Sequence, residues 1–198
     1  MIIWVNGAFG AGKTTTSDLL ARKSQGLRMF DPESVGFMLR PNLSDYPVRD
    51  FRDWESWRIL TPIVADEMIR ISRQSLIAPQ TVLEEAYWDE ILLGFSARGH
   101  HVFHVLLEAD EPTMRLRIEG DSELAMAKQG RLDHLPRYAE ARAWMSQRAD
   151  VVVDTTRLTP DEAADHIRDA VRVASGEDLA ATPPEDSRNP PRGYSASS

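Results

Sequence analysis

The stretch Gly7-Ala8-Phe9-Gly10-Ala11-Gly12-Lys13-Thr14 follows the pattern G-x-x-x-x-G-K-[ST] and constrains the fold around it. Before it, Ile2-Ile3-Trp4-Val5 is an apolar, β-rich run. After it, Thr14 to Lys23 carries Leu19, Leu20 and Ala21 among polar residues and reads as a helix. Strand, glycine loop and helix together turn the pattern into a phosphate site. Glycines let consecutive backbone N–H groups turn towards phosphate oxygens, and the helix N-terminus adds the positive end of its dipole. Gly7, Phe9, Gly10, Ala11, Gly12 and Thr15 are expected around the phosphates. Lys13 should reach the β- and γ-phosphates, and the Thr14 hydroxyl should ligate Mg²⁺. The expected ligand is a nucleoside triphosphate.

The rest of the chain supplies a domain to carry that loop. Strand-like runs recur at Leu27 to Phe30, Ser75 to Ala78, His101 to Leu107 and Val151 to Val153, with helical patterns between them. Such alternation implies βαβ units and a parallel sheet covered on both faces. The expected architecture is an α/β three-layer αβα sandwich of the P-loop kinase type. Its five-stranded order, 2-3-1-4-5, is taken from fold analogy. From Phe51 to Ile71, apolar residues at three- and four-residue spacings predict a long amphipathic helix, which Pro62 should kink or break. Thr159-Pro160-Asp161-Glu162 predicts a capped helix start. Residues 1–175 are expected to form this domain, and 176–198, rich in proline, serine and mixed charge, a disordered tail.

Composition excludes several classes. A chain of 198 residues with a net charge of −8 lacks the basic face of a nucleic-acid binder. It has no cysteine, hence no disulfide and no thiolate zinc site. No apolar run approaches the ~20 residues of a membrane span, and no signal peptide is visible, so a cytoplasmic location is expected. His100, His101 and His104 sit at a strand entrance where alternation sends His101 to the opposite face, which disfavours a metal site.

Phosphate loops serve motors, switches and small kinases alike. Switches and most motors place an acid at the end of the third strand, but here that strand ends Ala78-Pro79-Gln80-Thr81. No N-K-x-D guanine signature occurs. The second strand instead ends Phe30-Asp31-Pro32-Glu33, and in a parallel sheet that end opens onto the same crevice as the loop. Asp31 can accept the proton of an attacking hydroxyl or help to organise Mg²⁺. It can equally cap the following helix, and one residue can do both. Residues 117–137 read as a lid that excludes water, with Arg117 and Arg131 the candidate phosphate cations among Arg115, Arg117, Lys128 and Arg131. Arg40, Tyr46, Trp54, Trp57 and Arg58 fall where small kinases build an acceptor pocket, although helical spacing also places Trp54 and Trp57 in a core.

Ile2-Ile3-Trp4, Asn6 to Gly10, Asp31-Pro32-Glu33, Gly36-Phe37, Leu39-Arg40, Trp57-Arg58, and Pro79 with Thr81 together resemble the tunicamycin-resistance ATP-binding proteins. That family lies in the P-loop kinase group with chloramphenicol phosphotransferase, shikimate kinase and gluconate kinase. The resemblance is strong over the first half and looser to the last helix. It implies ATP binding, self-protection against a nucleoside antibiotic, and phosphorylation of that antibiotic. It also implies an acid role for Asp31, a nucleotide contact for Arg117, and an adenine-side loop at Thr155-Thr156. The chain departs from the group at Gly120 and Asp121, where a second lid arginine is expected, and in the missing third-strand acid. Three readings follow: an ATP- and Mg²⁺-dependent phosphotransferase acting on a small-molecule hydroxyl, an ATP-gated protein that sequesters the drug, and a metabolic nucleoside or sugar kinase.

Overall fold

The computed structural model describes residues 1–121 and 128–176. Five parallel strands lie in the order β2-β3-β1-β4-β5. They are β1 (Ile2–Gly7), β2 (Leu27–Met29), β3 (Ser75–Pro79), β4 (Val102–Glu108) and β5 (Val151–Asp154). The loop strand β1 is central, pairing Ile2 with Leu76 on one side and with Val102 on the other. This is the P-loop kinase-like arrangement, in the strand order expected by fold analogy.

Side-chain alternation divides the core into layers. Ile3, Val5, Ile77, Val105 and Leu107 point to the face covered by α1 (Lys13–Lys23) and α8 (Pro160–Ser175), where they meet Leu20, Ala163, Ile167 and Val171. Ile2, Trp4, Leu76 and Ala78 point to the other face, under α3 (Glu55–Ser72) and α4 (Glu85–Ser96). There Trp4 meets Trp88 edge-on, with ring centroids 5.5 Å apart. Both faces are buried, which explains why β1 and β4 read as unbroken apolar runs.

Helix ends follow the sequence in one place and depart from it in another. Thr159 Oγ1 accepts from the Glu162 N–H at 3.2 Å, and Glu162 accepts from the Thr159 N–H at 2.8 Å, closing the expected capping box. The helix expected from Phe51 divides instead: Phe51–Asp53 is a 3₁₀ turn and α3 begins at Glu55. Asp50 caps that turn by accepting from Arg52 N at 3.0 Å, so a local polar bond ends what apolar spacing alone would continue. Pro62 lies inside α3 and does not end it. Its ring packs on Gly94 of α4, where a Cβ would approach within 2.8 Å, so close helix packing accommodates the proline.

The remaining helices are α2 (Glu33–Asn42), α5 (Glu111–Gly120), α6 (Lys128–Asp133) and α7 (Leu135–Arg148). The expected lid at 117–137 is therefore largely helical where it is described, and residues 122–127 lie outside the described residues. So does the expected disordered tail beyond Gly176. Among the described residues, no helix is long and apolar enough to cross a membrane.

Candidate active site

The phosphate loop leaves β1 through Gly7, whose φ of 143° and proximity to β4 both require glycine: a Cβ would lie 2.3 Å from the Leu107 carbonyl oxygen. Gly10, at φ 80°, is pressed against α5 in the same way, with the Met114 carbonyl oxygen 2.6 Å from where a Cβ would be. Asn6, fully buried, fastens the loop to the end of β3. Its Oδ1 accepts from Gly7 N at 2.9 Å and from Val82 N at 3.0 Å, while its Nδ2 donates to Val82 O at 3.1 Å. Thr81 donates its hydroxyl to Gly7 O at 2.8 Å. At the end of the third strand, where switch proteins carry an acid, this chain therefore ties its own loop down with a neutral hydroxyl.

Lys13, in the first turn of α1, folds its ammonium back to Gly7 O at 3.0 Å and Ala8 O at 2.8 Å. Burial, then the nearby Arg52 and Arg131 guanidiniums, push it down to about 7 against the opposing pull of Glu33. Phe9 lies under this charge, its ring centroid 5.4 Å from Lys13 Nζ and 5.5 Å from the Arg131 guanidinium. Thr14 and Thr15 are exposed on the first turn of α1.

A cleft of about 490 Å³ opens over the loop, bounded by Gly10 to Thr16, Arg117, Arg131, Thr155, Leu158 and Pro160. Arg117 spans it, donating to Gly10 O at 3.2 Å, Thr155 Oγ1 at 3.1 Å and Thr155 O at 2.7 Å. Arg131 pairs with Asp121 at 2.7 Å, and both line the cleft. The structure thus brings the phosphate loop, Arg117 and Arg131 together. In the β5–α8 turn it is Thr155 that faces the cleft. Thr156, expected beside the nucleotide, turns away, and its hydroxyl accepts from Asp110 N at 3.0 Å. The chain bends there, with Asp154 Oδ1 accepting from Thr156 N at 2.8 Å, and the two side chains take different directions.

On the other side of Lys13, Asp31 is exposed at the end of β2, and its Oδ1 accepts from Glu33 N at 2.9 Å. The cap reading and an open carboxylate thus coexist. Glu33 stands beside it in the first turn of α2. Burial, then the Asp31 charge, raise its carboxyl above the ordinary value, against Arg52 and Lys13. Arg52 is held by both oxygens of Asp50 and donates to Thr81 O at 2.7 Å. His134, at the start of α7, touches Phe9 edge-on at 5.4 Å. Burial, Arg52 and Arg137 push its imidazole below the usual value, so it stays neutral near pH 7. Glu33, Arg52 and His134 escaped the sequence reading. Glu33 was legible as the partner of Asp31 in Asp31-Pro32-Glu33, whereas Arg52 and His134 carry no local signal and arrive by tertiary packing.

Of the residues expected in an acceptor pocket, Trp57 and Arg58 are buried, whereas Arg40, Tyr46 and Trp54 reach solvent. Trp57 is fully buried and donates its ring N–H to Pro32 O at 2.9 Å, so it props the start of α2 from within the core. Arg58 is buried too, bonded to Glu90 at 2.6 Å and stacked over Tyr87 at 4.0 Å. Their helical spacing placed them on the inward face of α3, away from solvent. Arg40 lies over Phe37 on the exposed side of α2, and Trp54 donates to Tyr46 O at 3.0 Å beside an exposed Tyr46 ring.

The groups that could hold Mg²⁺ are the Thr14 hydroxyl and the Asp31 carboxylate. Mg²⁺ usually keeps several waters and takes one or two carboxylates plus substrate phosphates, so this sparse donor set fits it. Among the described residues, no three acidic or histidine side chains cluster closely enough to cage a metal ion by themselves.

Sheet order, phosphate loop and cleft define a nucleotide-binding protein of P-loop kinase-like fold. Among solved structures, the chain is similar to the tunicamycin resistance protein of Deinococcus radiodurans, with 28% identity and a TM-score of 0.67 over 87% of this chain and 95% of that one. Shikimate kinase from Bacteroides thetaiotaomicron shares the fold at 16% identity and a TM-score of 0.61, over 87% of this chain and 98% of that one. The Mycobacterium tuberculosis APS kinase, solved with AMPPNP and APS, matches at 16% identity and a TM-score of 0.56, over 86% of this chain and 96% of that one. No family model matches the chain, and no curated protein sequence does.

Proposed function

We propose that this protein is an ATP-dependent phosphotransferase acting on a hydroxyl of a small molecule, of the nucleoside-antibiotic class that includes tunicamycin. The observation that carries the reading is the acidic pair Asp31 and Glu33, with Glu33 near enough to Lys13 of the complete phosphate loop for their charges to act on each other. ATP lies in the cleft with its base towards Arg117 and Thr155 and its phosphates on the loop. Lys13 and Arg131 hold the transferring phosphoryl group, where charge builds on its oxygens. The Asp31–Glu33 pair takes the proton of the attacking hydroxyl. Thr14 and Asp31 would hold Mg²⁺, which would neutralise charge on the phosphates. The similarity to a tunicamycin resistance protein supports an antibiotic acceptor and a protective role.

A second reading, ATP-gated sequestration of the drug without transfer, is favoured by Asp121 standing where a second lid arginine is expected. Single-turnover transfer from labelled ATP to tunicamycin, followed by mass spectrometry of the drug, separates the two. A phosphorylated product supports the transferase. Tight ATP-dependent drug binding with no product would replace it with sequestration.

A further inference from the structure

A second cavity, about 370 Å³, shares α5 and the 154–156 turn with the nucleotide cleft but opens elsewhere. That volume lies within the range typical of small-molecule sites, roughly 300–1,000 Å³. Four carboxylates line it: Glu108, Asp110, Glu111 and Asp154. Arg142 is the lining cation, and Glu108 already engages it through two bonds of 2.7 and 2.9 Å. Asp110 and Asp154 each spend one oxygen on a backbone N–H, of Thr113 and Thr156 respectively, at 2.8 Å. Those bonds hold both carboxyls below the ordinary value, so they stay ionised.

Below this acidic rim the walls are apolar, formed by Met114 and Leu135, which are 5% and 4% exposed. Tyr138 also lines the cavity and is itself 4% exposed. Its hydroxyl lies beside Arg142 yet has no hydrogen-bond partner of good geometry. A buried hydroxyl left this way is a cost that a ligand atom offering a partner would relieve. Among the described residues, no acidic group is compact enough to hold a metal ion, which points away from a divalent cation.

We propose that this cavity is a binding site for a small aliphatic polyamine. Its ammonium groups meet Asp110 and Asp154, its methylenes lie on Met114 and Leu135, and a nitrogen reaches Tyr138. The occupant packs against the helix that shapes the phosphate loop, since the Met114 carbonyl backs Gly10.

Calorimetric titration of spermidine into the full chain, without nucleotide and at fixed physiological salt, tests the proposal. One saturable site is expected. In the Asp110→Asn/Asp154→Asn variant, which keeps both helix-cap and turn bonds, affinity should fall about 10- to 100-fold, as expected for lost charge-assisted bonds. Tyr138→Phe should weaken binding several-fold while leaving the melting temperature unchanged or raised, because the hydroxyl it removes lacks a partner. Asp169→Asn, on the exposed side of α8, should change nothing. Weak unsaturable binding, or equal loss in the Asp169 control, would reduce the effect to diffuse attraction by an acidic chain and overturn the site. Competitive displacement by millimolar Mg²⁺ would likewise overturn it in favour of a metal.

Discussion

In the proposed site, the nucleotide end is built mainly on one uninterrupted segment, Gly7 to Thr15, joined by Arg117 and Arg131, and much of the recognition would be by backbone. The proposed acceptor end draws on the start of α2, the 3₁₀ turn and the start of α7, and would act through side chains. A backbone cradle depends on where glycine is allowed, which is written locally. A side-chain pocket depends on which distant elements meet. The two ends also differ in charge: Lys13, Arg117 and Arg131 gather at one, while Asp31 and Glu33 face them from the other.

The largest test of this contrast is Asp31→Asn. Asparagine can still cap α2 but cannot accept a proton, so transfer should fall by about 10²–10⁴ while ATP affinity holds. Single-turnover transfer beside ATP titration measures both. A joint loss that added Mg²⁺ restores would instead make organising the metal the main role of Asp31. Lys13→Ala should do the reverse and weaken ATP by about 10- to 100-fold, the scale of charge-assisted hydrogen bonds, with the fold intact by circular dichroism.

Two glycines sharpen the contrast sterically. Gly10→Ala meets the Met114 backbone at a left-handed φ and should weaken ATP binding. Gly36→Ala drives a Cβ to within 2.6 Å of the Phe51 ring and should loosen α2 on the 3₁₀ turn. That overpacking typically costs about 1–3 kcal/mol. It should raise the acceptor KM and lower Tm, with ATP affinity kept. Equal damage to both ligands from either variant would break the division into two ends.

A smaller effect concerns pH. Lys13 titrates at about 7 in the folded protein, against an ordinary value of 10.5. Bound phosphates favour its charged form, so ATP binding should take up a proton above pH 7. Affinity should then decline by up to about tenfold per pH unit, the limit for one linked proton. Between about 7 and 10.5 the unfolded chain holds a proton that the folded chain lacks, so Lys13 makes stability rise with pH across the window where ATP affinity falls. Calorimetry in buffers of differing ionisation enthalpy, alongside melting curves, would register the opposite slopes.

Arg40 shows how little a local signal says at the acceptor end. It was legible only as a cation after the second strand, and it lies over Phe37 on the outer side of α2. Trp57 and Arg58 carried the helical spacing of a core face, and that local signal matched their placement better than the acceptor role did. Thr155 and Thr156 differ by one position, and the bend after β5 decides which faces the cleft.

By itself the sequence determined the strand–loop–helix at the start, the parallel sheet that carries it, the capping box at Thr159, and the acid after β2. Each is a short-range pattern in which chirality, glycine freedom or side-chain period acts within a few residues. The tertiary structure alone decided that Thr81 ties the phosphate loop, that Arg52 comes near Lys13 and His134 against Phe9, and that Pro62 stays inside its helix. It also decided that carboxylates at the ends of β4 and β5 meet Tyr138 of α7 around one cavity. These depend on contacts between segments far apart in the chain, whose geometry is fixed only when both faces of the sheet are packed.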